Sequence, residues 1–419
     1  MAVGPIIESA SHPPQVGLLA RLSQRLRSGD NIAGWLFALP AVLLIFVFGI
    51  FPIGYAAYMS LHRWRIRQGE FLCQANAEAA GSNPILFIRG CLENYEKAVI
   101  GDWGGLALFC LGFVLLFVAY RVWTRLAQHD ESLAHLAARL AITLAIIAVS
   151  FAIIIYGYNT MLGALARRDQ GFLKGLQITF YYAFGSIPLQ LVLGLVLAYV
   201  LHSKIRGKQV YRMLFFLPYV TPTVAAAVVF GTVFSGRDTS LANQIITALG
   251  GNVQRWLSEA RPFLNVMFGL NLEGFIAGPS MALICVIILG IWTYTGYNAV
   301  IFMAGLGNIP TDLYEAARVD GASEWHVFRH ITLPLLSPVT FYLSLLGFIG
   351  TFTAFNTLFV MRTPASQETL NTSALVIFDT FRAQNRWAEA TAQAIVLMGI
   401  VLVLTLIQRS LFEKRVFYG

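Results

Sequence analysis

Charge is what this sequence has least of. Asp, Glu, Lys and Arg make up 12% of its 419 residues, against 57% apolar types; soluble domains carry about 25% charged residues. The shortage excludes an ordinary water-soluble globule. Other absences narrow the classes further. The net charge of +8 does not gather into one patch, which argues against a nucleic-acid binder. The pattern G-x-x-x-x-G-K-[ST] occurs nowhere, so the chain has no phosphate-cradling loop with which to hydrolyse ATP. No His, Asp or Glu cluster stands at the ends of the apolar runs, which counts against a membrane enzyme. The runs themselves are nearly free of charge, whereas secondary transporters and channels place ionisable groups inside their spans.

What is present is apolar length. A bilayer core of ~30 Å needs roughly 20 apolar helical residues, and only helices or closed barrels satisfy the backbone in lipid. The runs here are too long and continuous for barrel strands. They predict an all-α integral membrane protein of about eight transmembrane helices: Ala33–Leu61, Gly104–Trp123, Ala137–Tyr158, Leu176–Leu201, Tyr211–Phe234, Gly278–Leu306, Leu335–Val360 and Ala390–Leu411. Residues 1–32 carry Arg21, Arg25 and Arg27 with Leu18, Leu22 and Leu26 at helical spacing. They read as a basic amphipathic segment on the membrane surface. The next run is too long for a signal-peptide core and no small-residue cleavage site follows it, so it is expected to stay as the first span. An even number of spans puts both termini on one side. The loop "HSKIRGKQVYR", with Lys204, Arg206, Lys208 and Arg212, makes that side the cytoplasm. Of the four cysteines, Cys110 and Cys285 fall within spans. Cys73 and Cys91 share the first outer loop, where either a disulfide or two unpaired thiols is open.

One segment is out of character. "EAARVDGASEWHVFRHITLPLLSP", Glu315 to Pro338, is polar and helix-forming between two spans. Pro310 ends an extended stretch before it, and Asp312 with Glu315 resembles a capping box. Leu313 to Asp320 then reads as a short helix stopped by Gly321. Ser323 can cap a second helix running to about Ile331. Val327 and Ile331 share one face, with Trp325 and Phe328 beside them. A solvated loop needs neither the paired aromatics nor the capping; a docking surface for a soluble partner explains both. His326 and His330 stand four apart, as a metal pair would, but no third ligand is near and no metal or other cofactor is expected.

The spacing of Glu315, Ala316, Ala317, Gly321, Ile331, Leu333 and Pro334 resembles the EAA loop of the permease subunits of binding-protein-dependent ABC importers. The wider "NIPTDLYEAARVDGASEWHVFRHITLPLLSP" is similar to their carbohydrate branch, which includes the maltose permeases. "WLFALPAVLLIFVFGIFPIGYAAYMSL", "LQITFYYAFGSIPLQLVLGLVLAYVL" and "GKQVYRMLFFLPYVTP" fit the same pattern. The resemblance implies a type I importer permease fold with a cytoplasmic EAA coupling loop at 307–334 inside a core of 176–411. Residues 33–175 would hold the first span, an outer loop and two inserted spans, and 412–419 a cytoplasmic tail. It implies an ATPase dimer docked on Glu315, Ala316, Ala317, Asp320, Gly321, Trp325, Phe328, Ile331, Leu333 and Pro334. It also implies a second permease subunit in a heteromeric complex, an extracytoplasmic sugar-binding protein, and a bacterial or archaeal inner membrane. There are departures. Gln177 stands where Asn is usual, and "RTPA" (Arg362–Ala365) replaces a Thr-Gly-Gly-Pro. The large outer domain of enteric maltose permeases is absent.

Sugars are recognised by aromatic faces and hydrogen-bonding groups. "WTYTGYNAV" in the sixth span and "LLGFIGTFTAFN" in the seventh supply both. By the resemblance, Tyr294, Tyr297, Gly347, Gly350, Thr351 and Ala354 are the substrate positions; helix packing is the other reading of the same residues. Maltose, a maltodextrin or another oligosaccharide is the expected substrate. An anionic solute such as glycerol phosphate would want Arg or Lys at mid-span, and the core spans have none; a polyamine is the remaining alternative.

Overall fold

The computed structural model describes residues 29–65, 68–77, 81, 83–126, 133–167, 171–202 and 206–413. The expected surface segment around Arg21, Arg25 and Arg27, the loop residue Lys204, and residues 414–419 lie outside the described residues. The chain divides into two compact units, 1–56 and 57–419. In the first, α1 (Gly29–Ile45) passes through a π-helical turn, Phe46–Ile50, into α2 (Phe51–Ser60). Leu36, Phe37 and Phe48 all project outward, as suits a helix whose natural solvent is not water.

The second unit opens with a small ordered segment. Strands β1 (His62–Arg65) and β2 (Gln68–Phe71) pair antiparallel, with His62 opposite Phe71. The all-α reading did not anticipate this hairpin, because four-residue strands are too short to show alternation in sequence. Helices α3 (Leu72–Ala75) and α4 (Pro84–Cys91) follow, and a Cys73–Cys91 disulfide ties one to the other. Below them Glu93 accepts hydrogen bonds from Arg63 (2.7 Å), Asn76 (3.1 Å) and Lys97. Burial alone would raise its pKa; the three donors outweigh burial and hold the carboxyl at about 2.

Helices α5 (Trp103–Leu126) and α6 (Leu133–Ala166) are the two inserted spans. They form an antiparallel pair whose backbones approach at glycines: a β-carbon at Gly157 would lie 2.6 Å from the Phe109 nitrogen. The Arg139 guanidinium sits 3.7 Å from the Trp123 ring centre, which balances a charge near the helix ends. The pair is tied to the following helix through a polar relay. Tyr158 Oη donates to Gln177 Oε1 (2.9 Å), and Gln177 Nε2 donates to the Tyr181 hydroxyl (2.8 Å).

The core then runs α7 (Phe172–His202), α8 (Lys208–Val220), α9 (Thr223–Val233), α10 (Leu241–Ala248) and α11 (Met281–Gly307). It continues through α12 (Thr311–Val319), α13 (Glu324–Val327), α14 (Ser337–Phe352), α15 (Asn356–Met361), α16 (Ser373–Arg382) and α17 (Trp387–Glu413). Among the described residues six helices are long and apolar enough to span, or up to eight if each of two bent pairs counts as one span. The predicted fifth span is one of those pairs. Instead of continuing from Tyr211 to Phe234, it breaks between α8 and α9 at 93°. The cause is Pro222, which forces Thr221 into extended backbone (φ −65°, ψ 133°) and lacks an N–H to carry the helix on. The predicted seventh span is also interrupted. It ends at Phe352 and resumes at Asn356, after Thr351 and Thr353 turn their hydroxyls back on the Gly347 and Ile349 carbonyls.

Helix α11 is the most buried of the long helices, and small residues let its neighbours close on it. A β-carbon at Gly194 of α7 would lie 2.8 Å from Asn298 Cβ. One at Gly296 would lie 1.7 Å from the Phe215 carbonyl oxygen of α8, well inside contact distance, so backbone would have to move. Replacing Gly296 with Ala should therefore lower the detergent-solubilised melting temperature and reduce accumulation in the membrane. Gly231→Ala, at a site with nothing within 4 Å, should do neither; a melting curve unchanged by Gly296→Ala would contradict this packing. Thiol labelling supplies a second check. Unfolded without reductant, the chain should alkylate at Cys110 and Cys285 only, and all four cysteines should react once reduced.

Candidate functional site

Two sites emerge from the core, one at the end of α11 and one beside its middle. The first is the polar elbow. Helix α12 starts directly after Pro310, which is its N-cap residue, and no side chain caps it. The expected Asp312–Glu315 capping box is therefore not formed: the pre-set proline backbone starts the helix, leaving Asp312 in its first turn. The stop is as expected. Gly321 takes φ 71°, and the Gly321 and Ala322 amides return to the carbonyls of Arg318 (3.1 Å) and Ala317 (2.9 Å), closing the C-terminus. Ser323 caps α13 through His326 N (3.3 Å). The second helix does not run on as α-helix to Ile331. A π-turn spans Phe328–Thr332, because Pro334 has no N–H for the His330 carbonyl.

The elbow is a built object. Val327 is buried, Phe328 meets the ring of Tyr199 on α7 edge-on at 5.4 Å, and Tyr314 hydrogen-bonds Thr332 at 3.2 Å. Those contacts fix its shape and seat it against α7. Outward it presents Glu315, Ala316, Asp320, Gly321 and Leu333, with Val319 87% and Trp325 68% exposed. Trp325 stacks on Phe328 at 5.6 Å. Ala317, Ile331 and Pro334 are half-buried. His326 and His330 stack ring on ring at 4.0 Å, and no group of three His, Cys, Asp or Glu among the described residues is placed to hold a metal.

The second site is a cavity of about 380 Å³ between α7, α8, α9, α11, α14 and α15. It brings together all six residues singled out from sequence: Tyr294, Tyr297, Gly347, Gly350, Thr351 and Ala354. Tyr219 of α8, which the sequence reading missed, stacks on Tyr297 at 4.5 Å and lies 6.0 Å from the Tyr294 ring. Thr221, at the bend before Pro222, joins the lining as well. Tyr182, Ser186 and Gln190 of α7 were missed too. Polar residues inside an apolar span were the available signal, since such groups are costly in lipid and face the protein interior. Trp292 packs on Phe230 at 5.1 Å and is not part of the lining, whereas Asn298 is. Among the described residues, no Asp, Glu, Lys or Arg lines the cavity.

Comparison with known proteins gives the family. Residues 190–418 match the family described as "Binding-protein-dependent transport system inner membrane component", and the chain belongs to that family. The arabinooligosaccharides transport system permease protein AraP of Bacillus subtilis (strain 168) is 31% identical over 248 residues, 59% of this chain and 73% of that protein. The lactose transport system permease protein LacF of Rhizobium radiobacter is 29% identical over 253 residues, 59% of this chain and 78% of that protein. In fold, the chain is similar to a chain of a bacterial ABC transporter involved in the import of the acidic polysaccharide alginate. The TM-score is 0.54 at 16% identity, over 94% of this chain and 99% of that one. The protein is a multi-pass permease subunit of the carbohydrate branch of ABC importers, with the type I permease fold.

The elbow's bend depends on one residue. At φ 71° only glycine is unstrained, and a proline, fixed near −65°, cannot adopt it. Gly321→Pro should abolish transport by the assembled importer while the subunit still accumulates in the membrane. Gly321→Asn, which tolerates left-handed backbone, should retain most of it. Uptake measured beside quantitative immunoblots distinguishes this from misfolding, and normal uptake by the proline variant would overturn the role.

Proposed function

We propose that this chain forms half of the translocation path of an ATP-driven importer of neutral sugars. It moves in response to a separate ATPase dimer that grips the elbow 307–334. The observation that carries this reading is the cavity: a space lined by stacked tyrosines, threonines, amides and glycines, with no charged group among the described residues. Sugar rings offer apolar faces to aromatics and hydroxyls to amides and hydroxyl groups. A phosphate ester or a polyamine would leave its charge unpaired there, at a cost of several kcal/mol, so the lining favours an uncharged solute over glycerol phosphate or polyamines. The arabinooligosaccharide and lactose permeases among its relatives support the sugar class; the particular sugar, an oligosaccharide such as maltose included, is set by the lining residues.

In this reading the chain is not itself an enzyme. Glu315 at the start of the elbow, the small pair Ala316 and Ala317, and the exposed Trp325 offer the ATPase a charge, a close backbone approach and an apolar knob. Asp320, Phe328, Ile331, Leu333 and Pro334 shape the same surface. One elbow makes one docking site, so a second permease subunit completes the pair, and an extracytoplasmic binding protein delivers the sugar. The elbow and both termini then face the cytoplasm of a bacterial or archaeal cell, with the chain in its cytoplasmic membrane. Nucleotide closes the ATPase dimer, and the rigid elbow passes that motion to α11 and α14, exchanging inward and outward openings.

The test is Tyr297→Ala in the reconstituted complex. Removing one ring of the stacked pair should raise the half-saturating sugar concentration about 3- to 10-fold while nucleotide hydrolysis stays near wild type. Unchanged uptake would reject the cavity as the sugar path.

A further inference from the structure

Halfway along α7, in the run "SIPLQLVLGL", stands Gln190. Its residue surface is 5% exposed, its side chain lines the cavity, and its Oε1 is buried without a hydrogen-bond partner. Its backbone carbonyl is served separately, by Asn298 Nδ2 at 3.4 Å. A buried amide atom left unpaired costs about 1–3 kcal/mol, and exchanging the two ends of the amide would bury an unpaired donor in place of the acceptor. Its chain neighbours are apolar. Gly347 packs beside it: a β-carbon there would meet Ile187 Cγ2 at 3.3 Å and Gln190 Nε2 at 3.6 Å. Glycine at that position keeps the approach to the amide open. The Tyr219–Tyr297 stack supplies a flat apolar wall to the same space.

We infer that Gln190 is a substrate-binding residue that sets specificity: its amide takes the place of water at one hydroxyl of a neutral sugar whose ring lies against the tyrosine pair. This rests on the cavity being the sugar path. The Nε2 end is the one not closed off from the cavity, and a sugar hydroxyl accepts a hydrogen bond from it there. A solute lacking that hydroxyl leaves the amide unpaired, and sites of this kind reject such analogues strongly.

The experiment uses the complete importer in proteoliposomes, with arabinotriose, lactose and maltose as probes. Whichever of these the wild type moves is then compared with its singly deoxygenated analogues. Gln190→Leu, similar in size but without the amide, is the test variant; Gln190→Asn is the second, should the leucine variant fail to accumulate. The expected result is a rise of at least about tenfold in half-saturating concentration for the parent sugar. One deoxy analogue should be poor for wild type yet equivalent to the parent sugar for the variant. A variant that keeps wild-type half-saturation, or that weakens every analogue by the same factor, overturns the assignment and leaves Gln190 a water-bound or packing residue. Failure of the wild type to move any of the three sugars overturns the sugar reading itself, before any variant is consulted.

Discussion

The close approach of backbones on α11 is the constraint from which the rest of the core follows. Gly296 admits the Phe215 carbonyl of α8, and Gly194 admits the Asn298 side chain from the other side. Without driving force from water between spans, such contact relies on dispersion and on small residues that permit it. Because α8 is seated this tightly, its last turn brings Tyr219 onto Tyr297. The cavity thus forms where the helices part below the contact. A bulkier residue at either glycine would push α8 or α7 outward and separate the very side chains that define the lining.

The two sites are mechanically continuous. Helix α11 carries Tyr294 and Tyr297 at mid-length and runs out at Gly307 directly before the elbow. Helix α14, which carries Gly347, Gly350 and Thr351, begins directly after it. The elbow is therefore the connection between two of the cavity's walls; Tyr314 on Thr332 ties its two helices together, and Phe328 against Tyr199 seats it on α7. Interfaces packed this way shift between discrete arrangements rather than deforming continuously. The adjoining helix pairs bend by 93° and 60°.

Much of this was legible before any coordinates. Apolar length marked the long helices, and proline and glycine punctuation marked the elbow, including the left-handed Gly321. The six expected substrate positions do share one cavity. What was not legible has definite causes. Hydropathy does not register a bend, so the break at Pro222 was hidden inside a continuous apolar run. The Asp312–Glu315 pattern looked like a capping box although Pro310 already starts the helix. Four-residue strands carry too little alternation to be seen. Tyr219, Tyr182 and Gln190 went unnoticed because helical periodicity assigns a residue to a face but does not say what that face meets.

The sequence by itself determined the class: too little charge for water, apolar runs of membrane-spanning length, no phosphate-binding loop, and a fixed-spacing elbow between two spans. These are local properties, set by composition and by neighbours along the chain. Only the tertiary structure decided which of several polar groups in apolar spans converge, that no charged group among the described residues lines their meeting place, and that a buried amide oxygen without a partner lies beside it. Convergence depends on which helices can approach to backbone contact, and that is settled by pairs of residues such as Gly296 and Phe215, far apart in the chain and adjacent only once it has folded.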